Sequence, residues 1–144
     1  MAETPSDIGA RAELVVAERL IRAGHQVFLP LFAPHPRVDL VVLRSGVLER
    51  VQCKTASRRG GALFFRSCSN TGNQPAAYRD DVDLFGVWSP HLDEVFLVPV
   101  ADAPDRGCHL RITPPRNAQH QGIRWAHTYR LEVPPGPPGG APNS

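Results

Sequence analysis

The stretch Arg37-Val38-Asp39-Leu40-Val41-Val42-Leu43-Arg44-Ser45-Gly46-Val47-Leu48-Glu49-Arg50-Val51-Gln52-Cys53-Lys54 reads as a β-hairpin. Val38–Leu43 is apolar apart from Asp39, Arg44-Ser45-Gly46 is a turn signal, and Val47–Lys54 is the returning strand. With the turn centred between Ser45 and Gly46, Leu43 faces Leu48, Val41 faces Arg50 and Asp39 faces Gln52. Opposed residues project from one face of a sheet with Cβ atoms about 4.5–5.5 Å apart. Lys54, two residues beyond Gln52, shares that face. A loop one residue longer sends Gln52 and Lys54 to the other side.

In this register a carboxylate, a carboxamide and an ammonium project together among Val, Leu and Cys. Polar groups are costly there unless they have a partner or a task. Lys54 stands out further: Lys and Arg total 16, and Lys54 is the single Lys. Fixed positive charge can be supplied by Arg, whereas a compact ammonium of shiftable pKa requires Lys. Oxygen donors beside a lysine suit a magnesium ion, with manganese able to substitute. Asp39 is the expected main ligand, joined by the side-chain oxygen of Gln52 and the backbone carbonyl of Cys53. Such a metal lowers the pKa of water and polarises a phosphoryl oxygen. Lys54 then orients the attacking water or offsets transition-state charge. The same residues also fit a plain Asp39–Lys54 salt bridge beside a glutamine.

Outward from the hairpin, a helix is expected from a cap at Ser6 or Asp7 to about Ala23, stopped by Gly24. Ala10, Leu14, Ala17, Leu20 and Ile21 supply its apolar spacing. Glu13 borders that stripe, at helical spacing with Ala17 and Leu20, and can reach the sheet as a fourth site member. Glu18 points outward toward Arg22. Gln26–Leu29 reads as a strand, and Pro30–Pro36 as a constrained connection. Further strands are expected at Ala62–Arg66, Leu84–Trp88, Glu94–Val100 and Leu110–Ile112. Asn70–Pro75 reads as loop, Ala76–Arg79 as a helical turn and Asn117–Tyr129 as a closing helix. The order predicts an α/β (α+β) fold, a mixed central sheet with helices on its faces.

Residues 1–132 form one expected domain, and the Pro/Gly-rich 133–144 a disordered tail. A net charge of +2 is too mild to demand a nucleic-acid partner. Cys53, Cys68 and Cys108 are odd in number and lack C-x-x-C spacing, which disfavours a disulfide framework or zinc ribbon and fits a reduced cytoplasmic setting. The polar N-terminus lacks a signal h-region, and no apolar run is long enough to span a membrane.

Glu13, Asp39 within Arg37-Val38-Asp39-Leu40, and Gln52-Cys53-Lys54 together resemble the PD-(D/E)XK nuclease superfamily. The likeness is to the branch with Q-x-K, which includes group I intron homing endonucleases and small related bacterial proteins. It extends through Tyr78, Val82-Asp83-Leu84-Phe85, Val95-Phe96-Leu97-Val98-Pro99, Leu110-Arg111 and Asn117-Ala118-Gln119, roughly residues 8–130. The resemblance implies a restriction-endonuclease-like core with Asp39 and Gln52 at the metal, Lys54 as catalytic lysine and Glu13 as the helix carboxylate. Val38 stands where the motif has proline. Gln52 stands where it has an acid, which removes a negative charge and weakens metal affinity unless Glu13 compensates. Glu49, at odd spacing, faces away.

Arg58 and Arg59, in an expected flexible loop after Lys54, suit contact with a DNA backbone, as do Ser67, Ser69, Asn70 and Asn73. Asn117 and Gln119 are further candidates by resemblance. Asp81 and Asp83 read as capping residues, and Trp88 and Trp125 as core or interface. The expected activity is metal-dependent hydrolysis of phosphodiester bonds in double-stranded or branched DNA by a homodimer or homotetramer, homing-like, restriction-like or junction-resolving. Gln52 favours the rival expectation of an inactive DNA-binding or assembly protein on a nuclease fold. A small binding module unrelated to nucleic acid is a third.

Overall fold

The computed structural model describes residues 2–32, 37–68, 81–117 and 121–135. Helix α1 spans Pro5–Arg22. Its cap is Thr4, ahead of the expected Ser6 or Asp7. The Thr4 hydroxyl accepts the Asp7 N–H at 3.2 Å, and the Asp7 carboxylate accepts the Thr4 N–H at 3.0 Å. This reciprocal box, with Pro5 at the first helical position, leaves Ser6 and Asp7 inside the first turn. Gly24 follows in the left-handed region (φ 93°) and ends the helix.

The helix buries Ala12, Val16 and Leu20. The expected stripe is therefore rotated, and Leu14 and Ile21 lie exposed. Both rows satisfy helical spacing. The i, i+4 row of compact residues is the one that seats on a sheet.

That sheet has five strands, β1 (Gln26–Phe28), β2 (Leu40–Arg44), β3 (Val47–Thr55), β6 (Leu84–Ser89) and β7 (Glu94–Pro99), in the order β1-β2-β3-β6-β7. It is mixed: β3 and β6 run parallel and the other neighbours antiparallel. The hairpin register is as expected, with Leu43 opposite Leu48 and Val41 opposite Arg50. Ser45 (φ 49°) and Gly46 (φ 77°) both take positive φ, the two-residue turn whose twist matches the flanking strands. Val16 and Leu20 of α1 pack on Leu40, Val42, Val51, Leu84, Val95 and Leu97 from one face of this sheet.

The opposite face is covered by a second sheet. It comprises β4 (Ser57–Arg59), β5 (Ala62–Arg66) and β8 (Gly107–Arg111) in the order β4-β5-β8. Leu63, Phe65, Cys108 and Leu110 meet Phe85, Val87, Phe96 and Val98 in one buried cluster. The Phe65 and Phe85 rings meet edge-on at 5.4 Å. The molecule is thus layered as helix, large sheet, small sheet. The expected loop at Arg58-Arg59 is strand β4, paired with β5 from Ser57–Phe64 to Arg59–Ala62. Polar side chains with no apolar alternation gave no strand signal there.

After β7 the chain makes a 3-10 turn at Val100–Asp102. Among the described residues the expected closing helix reduces to one turn, α2 (Ala126–Tyr129), and Asn117 lies in a bend. The Ala76–Arg79 turn, the Asn70–Pro75 loop and the tail from 136 lie outside the described residues. No described helix is long and apolar enough to cross a membrane.

Candidate active site

Asp39 lies one residue before β2, where the ladder with β3 has reached its last pair, Leu40–Val51. Its own N–H donates to the Val51 carbonyl at 2.9 Å. Its carboxylate accepts the Cys53 N–H at 2.7 Å. The sequence register had Asp39 opposing Gln52 across the sheet. Instead the carboxylate lies along the edge of β3, held by a main-chain donor.

From that edge Asp39 meets both faces. On the helix side its carboxyl hydrogen-bonds the carboxyl of Glu13. On the other side it feels the ammonium of Lys54. Burial pushes the Asp39 pKa up; the Cys53 N–H, the Glu13 hydrogen bond and Lys54 pull it down without cancelling that rise. Glu13 is also raised, first by burial, then by the Asp39 charge and the hydrogen bond between them. Two carboxyls so placed share a proton more readily than they both ionise, unless a cation joins them.

Gln52 and Lys54 alternate along β3 and stand beside Phe85 and Val87 of β6, on the side covered by the small sheet. Lys54 is largely buried, and burial is the first cause of its lowered pKa; Asp39 opposes that shift and Arg66 adds to it. The Cys53 thiol is pushed up by burial and by the charges of Asp39 and Glu13, which keeps it protonated. Cys53 therefore serves the site through its backbone.

The side-chain oxygen of Gln52 is buried and has no hydrogen-bond partner. A buried amide oxygen without a donor is costly, and it offers lone pairs that a cation can take. Among the described residues no three His, Cys, Asp or Glu side chains gather as a metal cluster. Carboxyls, an amide oxygen and a main-chain carbonyl, the donors offered by Glu13, Asp39, Gln52 and Cys53, are the oxygen chemistry that magnesium and manganese prefer. The residues fit such an ion.

The other candidates divide. Arg58 donates through Nε to the Gly60 carbonyl at 3.1 Å, and its Nη1 lies 3.2 Å from His91 Nε2. The Arg59 guanidinium lies over the Phe64 ring, 3.8 Å from its centroid. Both arginines are exposed. Ser67 is 5% exposed and donates its hydroxyl to the Pro104 carbonyl, so the expected backbone-contacting serine has no surface to offer. Ser69, Asn70, Asn73 and Gln119 lie outside the described residues. Asp83 has the structural part expected of it, accepting from Arg50 N at 2.8 Å and Arg50 Nε at 3.0 Å where β3 and β6 begin to pair. Glu18 pairs with Arg22, and Glu49 accepts from Arg44 at 2.7 Å, away from Lys54.

Gly86 gave no signal in the sequence, yet it positions the helix: a Cβ there would lie 2.8 Å from Val16 Cγ1. Nor was there a sign of the cleft between the β4–β5 turn and the segment after β8, lined by Arg58, Arg111 and Arg116. Its parts are distant in sequence and meet only through strand pairing.

The sequence profile of the family described as PD-(D/E)XK endonuclease matches residues 4–132. No curated protein matches the chain. Among solved structures, that of the bacterial homing endonuclease I-Ssp6803I is similar in fold, with a TM-score of 0.64 and 22% identity over 90% of this chain and 88% of that one.

Proposed function

Since the chain belongs to the PD-(D/E)XK endonuclease family and is a nuclease by that membership, we propose that it hydrolyses phosphodiester bonds in double-stranded or branched DNA with magnesium held at Asp39. The observation that carries this reading is the Asp39 carboxylate, fixed by the Cys53 N–H at 2.7 Å and in contact with the Glu13 carboxyl. Glu13, Asp39, the Gln52 oxygen and the Cys53 carbonyl would hold the ion. Bound there, it supplies the charge that polarises a phosphoryl oxygen and acidifies water.

The chain's residues do the rest. The Cys53 N–H keeps Asp39 from turning away, so its oxygen is oriented before substrate arrives. Glu13 offers a second carboxyl from the helix and compensates the charge that Gln52 does not carry. Lys54, stripped of water by burial, presents its amine to the attacking water or to the charge growing on the phosphate. A chain of 144 residues has little surface for reading a long site, so repeated copies in a dimer or tetramer fit the task. Exposed Leu29, Leu31 and Phe32 supply apolar surface for such contact.

The test is cleavage of plasmid and of four-way junction DNA with magnesium by wild type, Asp39→Ala and Lys54→Ala. Cleavage by wild type alone supports the proposal, and preference between the substrates assigns the DNA form. Equal cleavage by all three overturns it. DNA binding by wild type with no cleavage and no response to magnesium or manganese assigns an inactive binding protein on the same fold.

A further inference from the structure

The β4–β5 turn and the segment after β8 enclose a cleft of about 750 Å³ lined by Arg58, Gly60, Gly61, Arg111, Arg116 and neighbouring residues 113–115 and 117. Among the described residues three guanidinium groups line it and no carboxylate does. The walls are pinned before any ligand arrives. The Gly61 carbonyl accepts the Ile112 N–H at 2.9 Å and the Thr113 N–H at 3.2 Å. The approach needs a glycine, since a Cβ at Gly61 would lie 2.1 Å from Thr113 Oγ1. Arg58 Nε is turned to the Gly60 carbonyl and Arg111 Nε to the Thr113 carbonyl at 3.1 Å each. Arg58 is held through Nε and, beside His91 Nε2 at 3.2 Å, through Nη1, and Arg111 is held through Nε, which leaves Arg58 Nη2 and both terminal nitrogens of Arg111 as donors for an anion.

Such a cleft takes phosphate groups, because forked guanidinium donors match phosphate oxygens in shape and charge. Its position identifies the phosphate source. Arg58 follows Lys54 by four residues, so their Cα atoms lie within about 14 Å even on a fully extended chain. A DNA strand carries one phosphate per about 3.4 Å of helix axis, so this reach spans about four phosphates of one strand.

We propose that this cleft grips the backbone of the DNA strand leading to the site at Asp39 and Lys54, through Arg58, Arg111 and Arg116, a reading that rests on the nuclease function proposed above. The cleft positions substrate and takes no part in bond breaking. Removing its charge raises KM and leaves kcat, whereas Lys54→Ala lowers kcat and leaves binding.

The experiment measures affinity for a synthetic duplex without divalent metal between about 50 and 200 mM salt, and cleavage of the same duplex with magnesium. The proteins are wild type, the triple variant Arg58→Ser/Arg111→Ser/Arg116→Ser, the matching triple Lys variant, Arg22→Ser on the helix layer, and Lys54→Ala. The Ser triple should bind about tenfold or more weakly, and the slope of log affinity against log salt should lose about 0.9 per contact, about 2 to 3 in all. The Lys triple, which keeps the charge, should recover most of that slope, and Arg22→Ser should match wild type. Inorganic phosphate at millimolar concentration should compete poorly, because the DNA backbone engages several arginines at once. A Ser triple that folds and keeps the wild-type slope while cleavage fails in Lys54→Ala overturns the cleft and leaves the nuclease reading. A slope lost in the Ser triple, beside a wild type that binds but never cleaves, overturns the nuclease reading and supports the cleft. Equal binding of free phosphate and duplex by the cleft overturns the assignment to DNA.

Discussion

The carboxylate of Asp39 accepts the main-chain N–H of Cys53 at 2.7 Å, so a side chain occupies the edge of β3 where the ladder to β2 has run out. The hairpin that builds the sheet thereby also aims the acid. Loss of hairpin register and loss of the site are one event.

Asp39→Asn separates the two. The amide oxygen can still accept from Cys53, so the hairpin end survives while the charge is gone. Burial holds the Asp39 pKa above its ordinary value. A carboxyl whose folded pKa is raised costs stability as pH climbs through that value, and the cost grows until the group is fully ionised. Without metal at neutral pH the Asn variant should melt at or above the wild-type temperature. Magnesium or manganese should stabilise wild type, by about 2.7 kcal/mol at a hundred times Kd, and leave the variant unmoved. Thermal scans with and without metal read this; an equal metal shift in both proteins removes Asp39 from the site.

Gln52→Met tests the buried amide. Its oxygen has no hydrogen-bond partner, a state that costs about 1–3 kcal/mol. Methionine fills similar volume without the polar group. In urea titration with chelator present the variant should be more stable than wild type, by about 1 kcal/mol or more. Its metal affinity should fall. A variant less stable than wild type shows that the oxygen already has a donor in solution.

The hairpin was legible because its two signals agree. Arg44-Ser45-Gly46 signalled a tight turn between two strand-like runs, and centring it between Ser45 and Gly46, a loop length that the runs alone did not fix, gives the register observed. Glu13 was legible as a helix carboxylate bordering the buried row, although the row itself was misplaced by competing apolar spacings at Leu14 and Val16. The small sheet was half legible. Leu63 and Phe65 marked β5, but β4 is Ser57-Arg58-Arg59, whose strand geometry comes from pairing with β5 and not from its own side chains. The partnership of Arg58 with Arg111 and Arg116 was illegible for the same reason. Strand order, unlike strand identity, is a long-range property.

Lys54→Arg should not rescue Lys54→Ala. Lys54 stands beside Val87 and is mostly buried, which lowers its pKa. A guanidinium is larger, planar and permanently charged. Single-turnover cleavage should fall about 100- to 1000-fold in both variants, the range for removing a preorganised charge stabiliser. Full activity in Lys54→Arg would mean that any cation suffices.

Acid should weaken the fold through two surface aspartates. Hydrogen bonds from Arg50 hold the Asp83 pKa down, and hydrogen bonds from Arg19 and then Trp88 do so for Asp93. A depressed folded pKa gives stability that is present above the ordinary value near about 3.9 and is lost as pH falls through the folded value. Both carboxylates are well exposed, so solvent screening keeps each effect small. Asp93→Asn should lower stability at pH 6 and flatten the loss between about pH 4 and 2. A parallel acid limb in variant and wild type would remove Asp93 as a contributor.

Gly86→Ala tests whether the helix must sit where it does for Glu13 to reach Asp39. Gly86 lies on β6 beneath α1, and a Cβ there would come within 2.8 Å of Val16 Cγ1 and 3.0 Å of Val51 Cγ1. Val16 and Val51 are fully buried, so neither can swing clear. Overpacking of this kind costs about 1–3 kcal/mol and is relieved by shifting the helix outward. Glu13 precedes Val16 by three residues on the same helix and moves with it. Gly86→Ala should therefore lower both stability and metal affinity. Val16→Ala alone should destabilise by leaving a cavity. Combined, the two changes exchange volume across one contact, and the double variant should recover stability beyond the sum of the single effects, with a coupling of about 0.5–3 kcal/mol. Metal affinity should recover with it. Recovery of stability without recovery of metal binding would sever the helix from the site and leave Asp39, Gln52 and Cys53 to hold the ion without Glu13.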